Sequence, residues 1–420
     1  MSAIPRVSRA VPWSILILLV TSQMIAYIDR VNLSVAAPVF IRQYHWSTTE
    51  IGVLFSIFNW VFTIALLGAG PFVDWLRARI AYPVGLGLWS VATMLCGLSA
   101  AFAPLAVFRA LVGIGEAPMI PAGQRVIAEI FPKEQGTRAV AAFFAGNKIG
   151  LAVGIPFAAV ILSTFGLPWV FYITGALGIV WVAWFLAVYR EPPRPSETKS
   201  TIRWSTLLRY RNTWGIMIAT GGYLYMYYVF ATWLPGYLVI QRHMSILNSG
   251  WIGMLPFILA VITTLVGGWV ADVVIARGWR KTVARKSFAV GGLVLATIFT
   301  LLGAYAENVW VAVTFLILAV GSFSFATPSI QSMSVDIAPR HVLSSLVSLQ
   351  NFGGNVGGSF APVITGMLIS RAGNFTLPLL VTAGVALVFG CGSILFLIGD
   401  LDHELAEQRS PLESTPLTDH

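Results

Sequence analysis

The stretch GPFVDWLRAR fills residues 70–79, and GWVADVVIARGWRK fills residues 268–281. Each places a Gly-x-x-x-Asp at the end of a long apolar run and follows it with a cluster of cations: Arg77 and Arg79 in one, Arg277, Arg280 and Lys281 in the other. The aspartates, Asp74 and Asp272, stand 198 positions apart in a chain of 420 residues. A second echo pairs EIFP at 129–132 with DIAP at 336–339. Either match alone is weak. Two matches at corresponding places describe a chain built twice from one unit, and duplicated halves are what alternating-access transporters are made from. In these stretches the glycine is expected to allow close approach of two helices, and the aspartate to cap or pair with a neighbouring helix end or arginine. Gly70, Asp74, Arg77, Gly268 and Asp272 are therefore candidates for a conformational switch.

Composition fixes the solvent of these halves. Hydrophobic residues make up 57% of the chain and charged residues 10%, against roughly 25% charged in a soluble domain. A water-soluble core cannot hide that much apolar surface, so the chain reads as a polytopic membrane protein. Cys96 and Cys391 lie inside apolar runs as small packing residues, which argues against a disulfide framework or thiolate metal site. The formal net charge of +9 comes from cations in short loops, a topological pattern rather than a nucleic-acid footprint.

Twelve apolar segments are long enough to span a bilayer at ~17–25 residues each: 12–38, 50–72, 81–101, 104–129, 137–163 and 168–189, then 213–240, 248–275, 283–305, 308–331, 342–370 and 376–399. One set of connections and tails holds Arg6, Arg9, Arg77, Arg79, Lys133, Arg138, Arg277, Arg280, Lys281, Arg285, Lys286, Arg340 and Arg409. The opposite set holds Arg42, Arg242 and Arg371. By the positive-inside rule both termini are cytoplasmic, and the first segment is an uncleaved helix rather than a signal peptide. Between the halves runs REPPRPSETKSTIRWSTLLRYRN, residues 190–212, with three prolines and six cations, as expected of a cytoplasmic linker close to anionic headgroups. The expected domains are thus a bundle over 1–189, the linker over 190–212, a bundle over 213–400 and a disordered tail over 401–420. The expected fold is an all-α membrane protein of twelve helices in two pseudo-symmetric six-helix bundles around a central cavity.

The first segment also contains YIDRVNLSVA at 27–36, which puts Asp29 and Arg30 inside lipid. Each ion costs ~2.5–3.5 kcal/mol at mid-bilayer on insertion scales, so an intramembrane charge is a functional candidate by default. Arg109, Glu116, Arg125 and Lys148 join them in the first half, whereas the deep parts of the second-half segments carry no charge. Arg109 and Glu116 are seven apart, two turns along one helix face, and about 10 Å apart along the axis. Gly113 and Gly115 between them permit close helix approach. Asp29 and Arg30 differ by ~100° around their helix, so they can face different partners. An interhelical ion-pair role holding the first and fourth segments together is the competing reading.

Over essentially its whole length the chain resembles the major facilitator superfamily, whose loop between helices two and three is similar to GPFVDWLRAR and its second-half counterpart. YIDRVNLSVA, FRALVGIGEAPMIPA at 108–122, FPKEQGTRA and WLPGYL at 233–238 narrow the resemblance to the anion:cation symporter family, carriers of sugar acids and related organic anions. The resemblance implies two six-helix bundles around a cavity and proton-driven uptake of a carboxylate. It also implies that the matching acids are proton sites.

The resulting expectation is that Arg30 and Arg109 bind the substrate carboxylate, because a guanidinium offers a fixed fork and stays charged when buried. Asp29 and Glu116 carry protons: burial favours the neutral form of a carboxyl and a nearby arginine the charged form, so a substrate occupying the arginines favours protonation. An inside-negative potential opposes an anion by ~2.3 kcal/mol per charge per 100 mV, and two acids allow more than one proton per monoanion. Lys148, in AGNKIGLAVG, has three open readings: a third cation for a diacid, a neutralising partner of Glu116 or Asp29, or a snorkelling side chain. Arg125 is expected to pair with Glu129 four residues on.

From the second half, QNFGGNVGGSFAP at 350–362 offers Asn351 and Asn355 on one face for substrate hydroxyls, or for interhelical hydrogen bonds. YLYMYYVFATW at 223–233 offers Tyr227 or Tyr228 as a gate or stacking ring, or as packing. Gln331 and Asn147 are further substrate-binding candidates. By the resemblance, Phe62 stands where a sugar-acid carrier is expected to have a tyrosine, which leaves room for a less hydroxylated or aromatic anion. All five histidines fall in loops, helix ends or tails, and HExxH, GxSxG and Walker sequences are absent. Neither enzyme chemistry nor a cofactor or metal is therefore expected. A channel would need a ring of equivalent polar groups. A proton-coupled multidrug antiporter of the same fold is the nearest rival. A functional monomer in the bacterial inner membrane, with an organic anion, protons and lipid as partners and no nucleic acid, completes the reading.

Overall fold

The computed structural model describes residues 10–99, 101–131, 133–191, 207–337 and 343–401, without the side chains of 10–12, 133–138 and 343–344. Most of the expected linker and the tail from 402 onward lie outside the described residues, as do Pro132, Arg340 and the Ala338 and Pro339 of the DIAP echo. The helices are α1 (Ala10–Gln43), α2 (Thr48–Leu76), α3 (Ala78–Cys96), α4 (Phe102–Glu116), α5 (Met119–Ile130), α6 (Lys133–Phe165) and α7 (Leu167–Val188). Then come α8 (Arg211–Ile240), α9 (Ile246–Gly253), α10 (Leu255–Ala276), α11 (Lys281–Tyr305) and α12 (Val309–Ile337). The chain ends in α13 (Leu343–Ser359), α14 (Ala361–Ala372) and α15 (Thr376–Val385), with two wide-turn π segments over Ala386–Cys391 and Ser393–Leu397.

Eleven spans among the described residues are long and apolar enough to cross a bilayer. The seventh expected segment falls outside that set because α8, although 30 residues long, carries five tyrosines that lower its hydropathy. Three expected segments are each broken into two helices. The breaks fall at Ala117–Pro118, at Met254 before Pro256 and at Phe360 before Pro362, where proline removes an N–H from the ladder and its ring crowds the preceding turn. Pro38, Pro71, Pro83, Pro156, Pro235 and Pro328 sit inside continuous helices, as buried membrane helices tolerate. α2 starts at a capping box: Ser47 Oγ accepts from the Glu50 N–H, and the Glu50 carboxylate accepts from the Ser47 N–H, which satisfies two orphan donors at once.

The helices form two compact units. The first takes in the described parts of Met1–Pro195 with Val229–Ile258 and Pro362–Phe375. Its centre is α1, packed on α6 so closely that a Cβ on Gly146, Gly150 or Gly154 would lie 2.5 Å from Val20 O, 2.7 Å from Met24 O or 2.9 Å from Ile28 Cα. These glycines recur every fourth residue and line one face of α6, the geometry that lets membrane helices approach backbone to backbone. On the other side of α1 lie the buried rings of Tyr82, Trp89, Trp181 and Phe185. Three of them bring a polar tip that finds a partner on α1: Tyr82 Oη with Ser22 Oγ at 2.5 Å, Trp181 Nε1 to Leu18 O at 2.8 Å, and Trp89 Nε1 to Asp29 Oδ2 at 3.1 Å. Buried aromatic tips require such partners. The later segments join this unit through Thr48 Oγ1 to Gly366 O (2.8 Å), Val363 N to Ser56 Oγ (3.1 Å), Trp233 Nε1 to Pro362 O (3.1 Å) and Ser34 Oγ to Thr232 O (2.5 Å).

The second unit takes in the described parts of Ser196–Tyr228, Leu259–Ala361 and Thr376–His420. Here α13 lies on α8 through Gly353, Gly354, Gly357 and Gly358, against Met217, Thr220, Gly221 and Tyr228. Gln350 is fully buried and ties three helices together, donating from Nε2 to Thr220 Oγ1 at 3.1 Å and Ile330 O at 3.0 Å. Exposed apolar residues such as Leu265, 70% accessible, suit a surface whose solvent is lipid.

Candidate functional site

Each unit carries the echoed acids at one end, and in each an arginine bridges them. In the first, Arg125 on α5 reaches Asp74 on α2 at 2.5 Å and Glu129 at 2.8 Å. Tyr189 donates to the other oxygen of Glu129 at 2.8 Å. In the second, Arg285 on α11 reaches Asp272 on α10 at 3.3 Å and Asp336 on α12 at 3.1 Å. The acids of the GPFVD/GWVAD pair and of the EIFP/DIAP pair are thus joined twice, by cations from non-equivalent helices. The expected Arg125–Glu129 pair forms, and Asp74 is added to it. The close approach expected at Gly70 and Gly268 is not made. Nothing lies within 4 Å of a Cβ on Gly70, and on Gly268 it would meet only Pro328 side-chain atoms, the nearest at 3.6 Å. In the GWVAD stretch the tight contact belongs instead to the neighbouring Gly267, whose Cβ would meet Phe325 O. Arg77 is the single residue between α2 and α3 and takes φ 68°, ψ 152°, a region costly for a side chain with a Cβ.

The intramembrane charges meet around α1. Arg30 and Asp29 do face different neighbours. Arg30 turns to α4, where Nε and Nη2 donate to a single oxygen of Glu116, Oε2, at 2.9 and 2.7 Å. Its guanidinium also lies 4.6 Å from the Tyr27 ring centroid, 4.9 Å from Phe62 and 5.1 Å from Phe58, within range of cation–π attraction. Glu116 is fully buried and Arg30 is 12% exposed. The second carboxylate oxygen, Oε1, is buried with no hydrogen-bond partner, so the pair is half satisfied in a place where each missing bond is costly.

Arg109 also lies against the Phe58 ring, 4.7 Å from its centroid. It is 3% exposed, its Nε has no hydrogen-bond partner, and among the described residues it forms no ion pair. Phe58 therefore contacts two guanidinium groups, one committed to a carboxylate and one in no ion pair among the described residues. The local build explains the placement. On α4, a Cβ on Gly113 would meet Phe58 O at 2.8 Å and one on Gly115 would meet Trp89 N at 2.7 Å. These two residues seat α4 directly on α2 and α3. The helix then breaks immediately after Glu116, at Ala117–Pro118.

Asp29 turns the other way and is buried. Trp89 Nε1 on α3 donates to its Oδ2 at 3.1 Å, and Asn32 Nδ2, one turn along α1, donates to its Oδ1 at 3.3 Å. The same Asn32 nitrogen donates to Thr174 Oγ1 on α7 at 2.6 Å. Trp89, Asn32, Thr174 and Phe58 were not among the residues read from sequence as candidates. An uncharged residue in an apolar helix gives no signal of its own until its neighbour is known. The glycine ladder of AGNKIGLAVG was a readable signal, since small residues four apart mark a helix contact.

The remaining candidates fall as follows. Lys148 and Asn147 are half-buried on α6, and Asn147 Oδ1 has no hydrogen-bond partner. In the second unit Asn351 and Asn355 do share a face of α13. Their amides bond to the helix itself, Asn351 Nδ2 to Val347 O and Asn355 Nδ2 to Asn351 O, both at 2.9 Å. Tyr228 Oη bonds to Asn355 Oδ1 at 2.8 Å, and Tyr227 stacks near Tyr223 and Tyr228 at centroid distances of 6.4 and 5.5 Å. Gln331 is half-buried on α12. No metal-holding group of His, Cys, Asp and Glu occurs among the described residues.

Comparison with known proteins meets this geometry at the level of the whole chain. The probable L-galactonate transporter of Escherichia coli strain K12 is 29% identical over 404 residues, covering 91% of this chain and 88% of its own. The D-galactonate transporter of Escherichia coli O6:H1 is 28% identical over 415 residues, covering 92% and 95%. A bacterial homologue of the human lysosomal transporter Spinster, solved inward-facing and occupied, superposes with TM-score 0.79 at 18% identity, over 93% of this chain and 97% of its own. That likeness shows the fold. The sequence model of the Major Facilitator Superfamily matches residues 19–284 and 273–418, and the chain is a member of that superfamily, a multi-pass membrane transporter rather than an enzyme.

Proposed function

We propose that this transporter takes up a small organic anion, of the sugar-acid or a related carboxylate class, together with protons. The observation that carries this reading is the half-satisfied cluster: a buried Arg109 with no ion pair among the described residues, beside an Arg30–Glu116 pair whose Oε1 has no partner. A carboxylate placed against Arg109, beside Arg30, supplies an acceptor that the Arg109 fork lacks. It also competes with Glu116 for Arg30. A Glu116 released from its arginine inside an apolar helix contact takes up a proton, because an unpaired charge there is the most costly outcome. Anion and proton then move together. The named activities of the galactonate-transporting relatives support the anion class.

In this reading Asp29 is the second proton site. Lys148, Asn147, Asn351, Asn355, Tyr227 and Gln331 are the groups that select among anions. Access to the bound solute alternates, with the Arg125 and Arg285 clamps at Asp74 and Asp272 changing partners as it does. The termini face the cytoplasm of a bacterial cell. With Glu116 held by Arg30, the uncommitted charge is the positive one on Arg109, which attracts anions and disfavours the lipophilic cations a multidrug antiporter exports.

The test is uptake of labelled sugar acids and aromatic acids into proteoliposomes under an imposed pH gradient, with Asp29→Asn and Glu116→Gln. Accumulation driven by the gradient is lost in both variants, while exchange of labelled for unlabelled anion persists. Gradient-driven accumulation that survives both substitutions refutes the assignment.

A further inference from the structure

We propose that Thr174, on α7 and outside the charged cluster, sets the pH at which Asp29 takes its proton, by fixing the Asn32 amide as a hydrogen-bond donor. This rests on Asp29 being a proton site, and it assigns a positioning role to a residue that bonds to Asn32 and also lies beside the Asp29 carboxyl.

The chain of contacts has a definite direction. Thr174 Oγ1 lies 2.9 Å from Val170 O, one turn back on its own helix, and donates its one hydrogen there. What remains for Asn32, 2.6 Å away, is lone pairs. An amide facing lone pairs must present its NH2. The same NH2 then points its second hydrogen at Asp29 Oδ1, 3.3 Å distant. Trp89 Nε1, a group that can only donate, holds Oδ2. Every hydrogen bond described at the Asp29 side chain is therefore received by it, which favours a charged carboxylate over a protonated one.

The arrangement leaves a residue of unmet demand that points the same way. Asn32 Oδ1 is buried without a partner. It is the acceptor a protonated Asp29 requires, and a half-turn of the amide brings it into place. With Thr174 present, that half-turn would set Asn32 Oδ1 against the lone pairs of Oγ1. Without the hydroxyl, the obstacle disappears.

The ionisable surroundings do not supply this control by themselves. Glu116 and Arg109 on α4 are the charged groups acting on Asp29, and Cys96 on α3 is its titratable neighbour. Arg30, next in the chain, is bonded to Glu116. Lys148 lies on α6, which packs on the nearly opposite face of α1 through Met24, Tyr27 and Ile28. α7 contributes the Thr174 hydroxyl.

The experiment compares Thr174→Val, which keeps the shape and removes the oxygen, with Thr174→Ser, which keeps the oxygen. The pH of half-maximal anion accumulation is measured in proteoliposomes, each variant normalised to its own maximum. The valine variant moves this midpoint to higher pH by on the order of one unit, a tenfold change in proton affinity, and the serine variant returns it to the wild-type value. In an Asn32→Ala background the valine substitution produces a smaller shift, because the intermediary is gone and only the hydroxyl's own proximity to Asp29 remains. Where a variant transports too slowly, the carboxyl infrared band that Asp29→Asn abolishes is titrated directly in purified protein. An unmoved midpoint, an acid shift, equal shifts in valine and serine, or an additive shift without Asn32 overturns the proposal. If Asp29→Asn itself leaves pH-driven accumulation intact, the underlying assignment of Asp29 has failed instead.

Discussion

Replacing Arg30 by methionine probes the centre of the cluster most directly. Methionine retains an unbranched apolar stem against Tyr27, Phe58 and Phe62, whose ring centroids lie within 5.1 Å of the guanidinium. It removes both donors from Glu116 Oε2, at 2.9 and 2.7 Å. The other oxygen already has no partner, so the fully buried carboxylate loses the donors that compensate its charge. Breaking a buried pair in this way costs ~3–5 kcal/mol. The carboxyl escapes the penalty by taking up a proton, at ~1.4 kcal/mol per pH unit. The sign follows: the folded variant holds a proton that its unfolded chain releases at neutral pH, so its stability relative to wild type is lowest at high pH and recovers as pH falls. Glu116→Gln added to Arg30→Met removes the charge and recovers most of the loss at every pH. Unfolding of the four proteins in detergent between pH 5 and pH 8 measures the cycle. A deficit in Arg30→Met that does not change with pH, or a double variant no more stable than Arg30→Met, refutes the view that Glu116 is a buried charge held by Arg30.

Other outcomes follow from the same contacts. Gly150→Leu forces side-chain atoms into a space where even a Cβ lies 2.7 Å from Met24 O; overpacking costs ~1–3 kcal/mol, so the folded fraction in membranes falls. Gly87→Ala, with nothing within 4 Å, leaves that fraction unchanged, and equal behaviour of the two variants refutes the ladder. Arg109→Lys exchanges a planar fork for a point charge and weakens anion binding by about tenfold in an equilibrium binding assay, whereas unaltered affinity removes Arg109 from the site. Arg285→Ala opens the exposed bridge to Asp272 and the largely buried one to Asp336 and costs on the order of 1–3 kcal/mol of stability while changing the transport rate. A large stability loss at an unchanged rate marks the bridge as purely structural.

The amino-acid sequence alone determined the class and the plan of this protein. Its low charge content required lipid as solvent, because no water-facing core accommodates so much apolar surface. The echoed acids at Asp74 and Asp272 and at Glu129 and Asp336 announced the duplication, and each pair is bridged by one arginine. Asp29, Arg30, Arg109 and Glu116 stood out because charge in an apolar helix is costly wherever that helix goes. Helical periodicity could further say that Asp29 and Arg30 diverge. What periodicity cannot supply is the identity of the helix waiting at each angle, since that depends on the packing of segments distant along the chain. Only the tertiary structure decided that Arg30, not Arg109, holds Glu116, and that both guanidiniums lie against Phe58. It alone brought Trp89, Asn32 and Thr174 to Asp29. Those three are uncharged, and their chemistry arises from a meeting of α1, α3 and α7 that no single helix encodes.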